Sequence, residues 1–518
     1  MRIPSLCVFW LFSVGHATCN LTRKCSDLAD KLSLPNTTVW FTESIPAGAN
    51  VSFPDNDPTC GRPYQQVDVD ICRVATLTET SSNPASNISL EAWLPSDWNG
   101  RFLSTGNGGL SGCIQYEDIA YGVSRGFATV GANNGHNGTS GQPFYQNPGA
   151  LENFVYRSVH LGAVLGKQIA ETYYARAHDK SYYLGCSTGG RQGFKAAQEF
   201  PTDFDGIVAG APAFAFANLT SWSGSFYTIS GPPGSPTFLT QAQWARVSKD
   251  FLDQCDDLDG LVDGIIEDPN LCHYRPEALL CGSKPSTDCL SGEQAETVRK
   301  VFSDLHGKDG ALVYPRLQPG GDASLLMSGY PFPYTGDWFR YVVYSDAEWD
   351  PSTLGPEDYA FAASQNPFNV QTWEGDLAGV RNRGAKILHY HGLQDPVISS
   401  DNSERYYNHV ARTMGLTTTE LDHFYRYFRI SGMSHCSGGA GAYKIGNVMG
   451  AMSGYDPDEN VLSAIVRWVE DGLAPDHVKG TGETGEGETF ARNHCKYPLR
   501  GRYTGKGDPK SPDSWECV

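Results

Sequence analysis

The sequence predicts an α/β fold: a parallel sheet covered by helices, broken once by a large inserted domain. Three observations carry that reading. Strand and helix signals alternate from about residue 88 to 212 and resume at 386, the pattern that builds parallel sheets with helices packed on them. The stretch Gly185-Cys186-Ser187-Thr188-Gly189-Gly190 sits between an apolar run, Tyr182-Tyr183-Leu184, and a helical run over 191–200. Residues 217–384 instead are rich in turns and aromatics, with Trp222, Trp244, Trp338, Trp349, Trp373 and four cysteines.

Taken in order, residues 20–90 hold Cys25, Cys60 and Cys72 among short apolar runs. They read as a cross-linked N-terminal segment packed on the main domain. Residues 88–95 alternate like a strand and end at Pro95. Residues 101–105 form the next strand and run into Gly106-Asn107-Gly108-Gly109; residues 127–130 form another. Over 150–176, Val155, Val159, Leu165 and Ile169 share one face at 3.6 residues per turn. Gly162 and Gly166 lie on that face and let the helix approach a sheet closely. The strand and helix around Ser187 follow, then a strand over 206–212. After the insertion come a strand over 386–392, a helix over 400–414 and a strand over 424–430. The run of Gly, Thr and Glu over 480–488 reads as a polar surface loop, and the chain shows no internal repeat.

A chain of 518 residues suits two or three domains, and 40% hydrophobic residues support a sizeable core. The formal net charge of −19 disfavours nucleic acid and anionic membrane surfaces as partners. Residues 1–19 read as a signal peptide: Arg2, an apolar stretch from Leu6 to Phe12, then small residues. Sequons at Asn20, Asn36, Asn50, Asn87, Asn137 and Asn218 follow, as expected of a secreted, extracellular glycoprotein. Of the 14 cysteines, 13 remain after cleavage behind Ala17 and 12 after cleavage behind Cys19. An even number suits an oxidising compartment, which favours a mature start at Asn20.

Strand, glycine-lined turn and helix, with Ser187 at the tip, is the context a nucleophile elbow requires. Side chains at Gly185 and Gly189 would collide across such a turn. The helix N-terminus favours a developing negative charge beside the serine. In this architecture the acid and the base follow in the order Ser, Asp or Glu, His. Asp395 comes directly after the strand at 386–392 and His435 directly after the strand at 424–430. Both therefore fall at the carboxyl edge of the sheet, with Ser187. Asp401, His389 and His391 are the competing groups; His391, within the strand's end, reads as structural. The oxyanion hole is expected from the backbone N–H of Thr188 and one from Gly108 or Gly109.

Cys186 precedes Ser187 and Cys436 follows His435. If the serine and histidine are within hydrogen-bond reach, a Cys186–Cys436 bridge becomes geometrically possible and staples nucleophile to base. In the insertion, acids and glycines crowd residues 255–268, with Cys272 close behind. Carboxylates and carbonyls in a tight loop are what calcium takes, although the strict EF-hand spacing is absent. A Cys255–Cys272 bridge would hold that loop closed.

Residues 185–193, Gln394-Asp395-Pro396, residues 432–436 and the acidic loop together resemble the tannase/feruloyl esterase family. The resemblance covers nearly the whole mature chain. It implies an α/β-hydrolase core over 20–216 and 385–518, with a lid domain over 217–384. It implies the triad Ser187, Asp395 and His435. It implies structural Ca2+ held by Asp256, Asp259 and Asp263 and by the carbonyls of Leu261 and Ile265. Besides Cys186–Cys436 it suggests the bridges Cys25–Cys72, Cys60–Cys113, Cys255–Cys272, Cys281–Cys289 and Cys495–Cys517. The implied activity is hydrolysis of feruloyl esters of plant cell-wall polysaccharides. Two rivals are tannase acting on gallate esters and a non-catalytic, calcium-dependent carbohydrate-binding protein.

Overall fold

The computed structural model describes residues 22–282, 289–322 and 324–518. The expected signal peptide over 1–19, its expected cleavage site and the sequon at Asn20 lie outside the described residues.

One mixed sheet organises the molecule. Its strands are β1 (Thr37–Ile45), β2 (Ile71–Ser82), β3 (Ala85–Pro95), β4 (Arg101–Thr105), β5 (Ala128–Ala132), β6 (Lys180–Cys186), β7 (Gly206–Gly210), β8 (Lys386–Gly392) and β9 (Tyr425–Ile430). Their spatial order is β1-β2-β3-β5-β4-β6-β7-β8-β9. β4 pairs with β5, β7 with β8, and β8 with β9 in parallel. β1, β2, β3 and β5 are joined antiparallel instead, which corrects the expectation of a parallel sheet. The cause is local: only Asn83 and Pro84 separate β2 from β3, and so short a turn can join only antiparallel strands. The segment 20–90 is accordingly not an appendage, since it supplies β1 and β2.

The chain forms two compact units. The first runs up to Asn107 and takes in Ser111–Thr139 and Gly149–Tyr182. In it, helices α1 (Tyr116–Ser124) and α2 (Ser158–Tyr174) accompany the first five strands. The predicted face of α2 is buried throughout. A Cβ on Gly166 would lie 2.6 Å from a Val130 methyl, so only glycine permits this close approach. The bridges Cys25–Cys72 and Cys60–Cys113 tie this unit internally.

The second unit holds Gly108–Leu110, Ser140–Pro148 and Tyr183–Val518. The boundaries between these two units fall at neither 216 nor 384. The return of the insertion is bonded into the core. Lys195, on α3 (Thr188–Glu199), donates to the carbonyls of Phe368 and Asn369 at 2.9 and 3.0 Å, and the Ala215 N–H donates to the Gln371 carbonyl. The insertion contributes α4 (Phe216–Ser230), α5 (Gln241–Cys255), α6 (Gly292–Val301) and α7 (Pro356–Gln365). α5 and α6 start at capping boxes, Thr240 with Gln243 and Ser291 with Gln294. Trp222, Trp244 and Trp338 are buried core residues. Two bridges, Cys255–Cys272 and Cys281–Cys289, lie within the insertion.

After β8 come α8 (Ser400–Met414), β9, α9 (Val461–Asp471) and a hairpin of β10 (His477–Glu483) with β11 (Thr489–Cys495). The stretch expected as a surface loop over 480–488 thus forms the end of β10 and the turn of that hairpin. A Cβ on Gly480 would lie 1.9 Å from the Ala442 carbonyl oxygen; the glycine marks close backbone packing in a strand. Cys495–Cys517 closes the C-terminus. No helix among the described residues is long and apolar enough to cross a membrane.

Candidate active site

β6 ends at Cys186 and α3 begins at Thr188, leaving Ser187 alone in the turn with φ 65° and ψ −123°. A non-glycine residue held there stores about 1–3 kcal/mol of strain. The surroundings fix it. The Ser187 N–H donates to the Gly210 carbonyl at 3.0 Å. Its own carbonyl accepts from the N–H groups of Arg191 at 3.0 Å and Ala213 at 3.1 Å. A Cβ on Gly185 would lie 2.8 Å from the Gly189 carbonyl, and one on Gly190 would lie 2.2 Å from the Gly210 oxygen. The turn therefore closes only with glycine at these places, and α3 docks directly on the end of β7.

Thr188 is buried at the first position of α3, and its hydroxyl donates to the Gly109 carbonyl at 2.7 Å. That contact seats the glycine loop beside the helix N-terminus. Gly109 has φ +56°, and a Cβ there would meet the Tyr334 phenol at 2.5 Å. Gly108 faces open space.

Asp395 lies in the turn after β8 and is completely buried. Its Oδ1 accepts from the N–H groups of Val397 at 2.7 Å and Ile398 at 2.9 Å. Its Oδ2 accepts from His435 Nδ1 at 2.6 Å and His391 Nε2 at 3.1 Å. Burial works against the charge, yet the His435 ring and these donors hold the carboxyl well below the usual carboxylate range. His435 feels the same pair of effects with the opposite outcome. Burial opposes its protonation, but the Asp395 carboxylate prevails and raises it above the ordinary imidazole value. With Nδ1 engaged, Nε2 is the nitrogen left to accept a proton.

Cys186 and Cys436 are bonded, with Cα atoms 6.0 Å apart across 250 residues of sequence. The residues adjoining Ser187 and His435 are therefore covalently joined. Cys436 itself has φ 63°, and its carbonyl accepts from Asn447 Nδ2 at 2.6 Å. Of the competing groups, Asp401 stands 3.9 Å from Arg316. His391, expected as structural, is the second imidazole on Asp395. The available signal was the spacing of His389 and His391, which puts both on one face of β8.

The acidic loop is stitched by its own backbone. Asp256 accepts from the Gly264 N–H at 2.9 Å, Asp259 from Leu261 at 2.9 Å, and Asp263 from Ile265 at 3.1 Å. Asp263 also pairs with Arg492 at 2.8 Å. Among the described residues no three His, Cys, Asp or Glu side chains converge as a metal-binding group. What favours a cation is Asp259. Its Oδ2 is buried without a hydrogen-bond partner, and burial, with Glu267 and Asp263 nearby, pushes the carboxyl up to about 7.

Strand, elbow and helix, with a buried carboxylate after β8 and its paired histidine after β9, define an esterase of the α/β-hydrolase type. The chain matches the family model described as tannase and feruloyl esterase over residues 72–366 and 360–518. It belongs to the tannase and feruloyl esterase family and is a carboxylic ester hydrolase. The Aspergillus terreus protein named probable feruloyl esterase B-2 is 54% identical over 502 residues, 96% of this chain and 95% of that protein. The crystal structure of feruloyl esterase B from Aspergillus oryzae superposes with a TM-score of 0.94 at 49% identity, covering 96% of this chain and all of that one. Tannin acyl hydrolase from Aspergillus niger, at 21% identity and a TM-score of 0.76 over 96% of this chain and 95% of that one, shares the fold.

Proposed function

We propose that this hydrolase cleaves feruloyl and related hydroxycinnamoyl esters of plant cell-wall sugars through an acyl-enzyme on Ser187. The observation that carries the mechanism is the Cys186–Cys436 bond, which joins the elbow to a histidine already paired with a buried carboxylate at 2.6 Å. His435 Nε2 takes the Ser187 proton as Oγ attacks the ester carbonyl. Asp395 stabilises the imidazolium and keeps Nδ1 protonated. The oxyanion is held by the N–H of Thr188 and one from the Gly108–Gly109 pair. His435 then protonates the departing sugar oxygen, and water releases the acid by the same steps.

The feruloyl preference rests on the 54% identity to a protein named for that activity, against 21% to a tannin acyl hydrolase. The non-catalytic reading would leave no purpose for a strained serine beside an oriented histidine. Export from the cell is supported by the apolar leader and by the bridges. The sequon asparagines Asn36, Asn50, Asn87 and Asn137 are exposed and suit glycans. Asn218 does not: its side-chain nitrogen donates to the Val313 carbonyl at 2.9 Å, and Thr220 is buried. Calcium at Asp256, Asp259, Asp263 and the carbonyls of Leu261 and Ile265 would neutralise these crowded carboxylates and hold the loop shut, with no part in acyl transfer.

Ser187→Ala should abolish turnover of methyl ferulate while the protein stays folded, and the wild type should show higher kcat/KM on methyl ferulate than on methyl gallate. Turnover by the variant would remove Ser187 from the mechanism; preference for gallate would reassign the substrate.

A further inference from the structure

Behind Asp395 runs a buried chain of hydrogen bonds that acyl transfer does not itself require. Tyr425 OH lies 2.9 Å from His389 Nδ1. His389 Nε2 lies 2.9 Å from Ser403 Oγ, and Ser403 Oγ lies 2.7 Å from His391 Nδ1. His391 Nε2 reaches Asp395 Oδ2 and the Ile398 carbonyl, both at 3.1 Å. The two histidines come from β8, the serine from α8 and the tyrosine from β9. All except Asp395 lie outside the triad, and His389, His391 and Asp395 are wholly buried.

The chain has a direction. Asp395 Oδ2 and the Ile398 carbonyl carry no hydrogen, so His391 Nε2 must donate to them. With a single proton on that ring, Nδ1 accepts, and the one hydroxyl hydrogen of Ser403 points at it. Ser403 can then only accept from His389, whose Nε2 carries the proton. His389 Nδ1 in turn accepts from the Tyr425 hydroxyl. Burial holds His389 well below its ordinary value, so it stays neutral. The phenols of Tyr314, Tyr425 and Tyr427 around this chain are all pushed above their ordinary range by burial, and Arg405 faces Tyr314.

We infer that His391 is a positioning residue for ester hydrolysis: its fixed Nε2–H shares Asp395 Oδ2 with His435, aims that oxygen and moderates the basicity of His435. This rests on the acyl-transfer reading of Ser187, Asp395 and His435. The physical reason is competition. A carboxylate oxygen that already accepts one N–H stabilises a second, developing N–H⁺ less strongly. Without His391 the whole of Oδ2 serves His435. The imidazolium is then better stabilised, and the free base is lost at a higher pH.

The test compares kcat/KM against pH on methyl ferulate for wild type, His391→Leu and His391→Gln. Glutamine can place its amide N–H near the position of Nε2. His391→Leu should lose kcat and move the acid limb upward by about half a pH unit or more, whereas His391→Gln should return the limb to its wild-type position. An active His391→Leu with an unmoved limb overturns the inference, even where kcat falls. The tautomers are read separately on the intact wild-type protein by nitrogen-15 NMR of labelled histidine. In its neutral form each ring, His389 and His391, should carry its single proton at Nε2. A proton on His391 Nδ1 overturns the chain, and this measurement decides if His391→Leu does not fold. Turnover by Ser187→Ala would instead remove the reading beneath, so the two failures are distinct.

Discussion

Asp395 decides which proton His435 carries. Its Oδ1 is pinned by two backbone N–H groups and its Oδ2 faces two imidazoles, so the carboxylate cannot rotate without losing partners. Asp395→Asn turns this saturation into a defect. The two backbone donors will keep the amide oxygen at the Oδ1 position, and the NH2 then faces His435 Nδ1. His435 must accept there, which moves its proton to Nε2, the nitrogen that should take the serine proton. We expect kcat to fall by about 10⁴-fold with folding retained. In the wild type, Asp395 raises His435 above its ordinary value against the effect of burial. The base form is therefore present at high pH and lost as pH falls, and the acid limb of kcat/KM should lie above about 6.5. A limb below that value, or a fully active Asp395→Asn, would contradict the assignment. Ser187, Asp395 and His435 were legible in sequence because each sits at the end of a well-patterned strand. His391 was not, because its contact with Asp395 is made by the turn after β8, and a residue inside a strand reads as packing.

At the level of elements, legibility followed the strength of the local pattern. β4, β8 and α8 have the bounds the sequence predicts, since each is a clean apolar or amphipathic run between turn residues. The elbow was legible for a steric reason, the mutual approach of Gly185 and Gly189. The hairpin of β10 and β11 was not. Gly480 and Gly482 fill inward positions because neighbouring backbone occupies the space of a side chain, and the sequence alone shows only a glycine-rich polar run. The antiparallel half of the sheet was missed because a two-residue turn holding Pro84 looks like any surface punctuation. The acidic loop after α5 is the element whose chemistry is least complete. Asp259 Oδ2 is buried without a partner, and Asp259 is pushed up to about 7 by that burial and by Glu267 and Asp263. A cation would satisfy it. Prolonged chelation should therefore lower the Tm by several degrees, about what loss of a ligand bound only to the folded state produces, and added calcium should restore it. An unchanged Tm after verified metal removal would count against a cation at Asp259.

Across the whole molecule, the bridges divide into local clamps and one long-range bond. Cys281–Cys289 and Cys255–Cys272 span 8 and 17 residues, and Cys495–Cys517 spans 22. Cys186–Cys436 spans 250, enclosing the insertion, β7, β8 and β9. In the chain-entropy picture a loop of that length stabilises the fold by about 5 kcal/mol, against about 3 kcal/mol for the short ones. Stability alone does not explain its position, because any two facing residues of the second unit could close such a loop. This one is attached to a serine and to a histidine loop whose backbones both adopt positive φ, at Ser187 and Cys436. Each conformation is strained, and each persists only if its surroundings over-determine it. The double replacement Cys186→Ala with Cys436→Ala should therefore lower both Tm and kcat. Removing Cys495–Cys517 in the same way should lower Tm alone. The comparison is made on methyl ferulate at a temperature where both variants are fully folded by circular dichroism. A lower kcat confined to the elbow pair would mean that the bond maintains the alignment on which proton transfer depends. Equal kcat in the two variants would reduce Cys186–Cys436 to a stabilising cross-link.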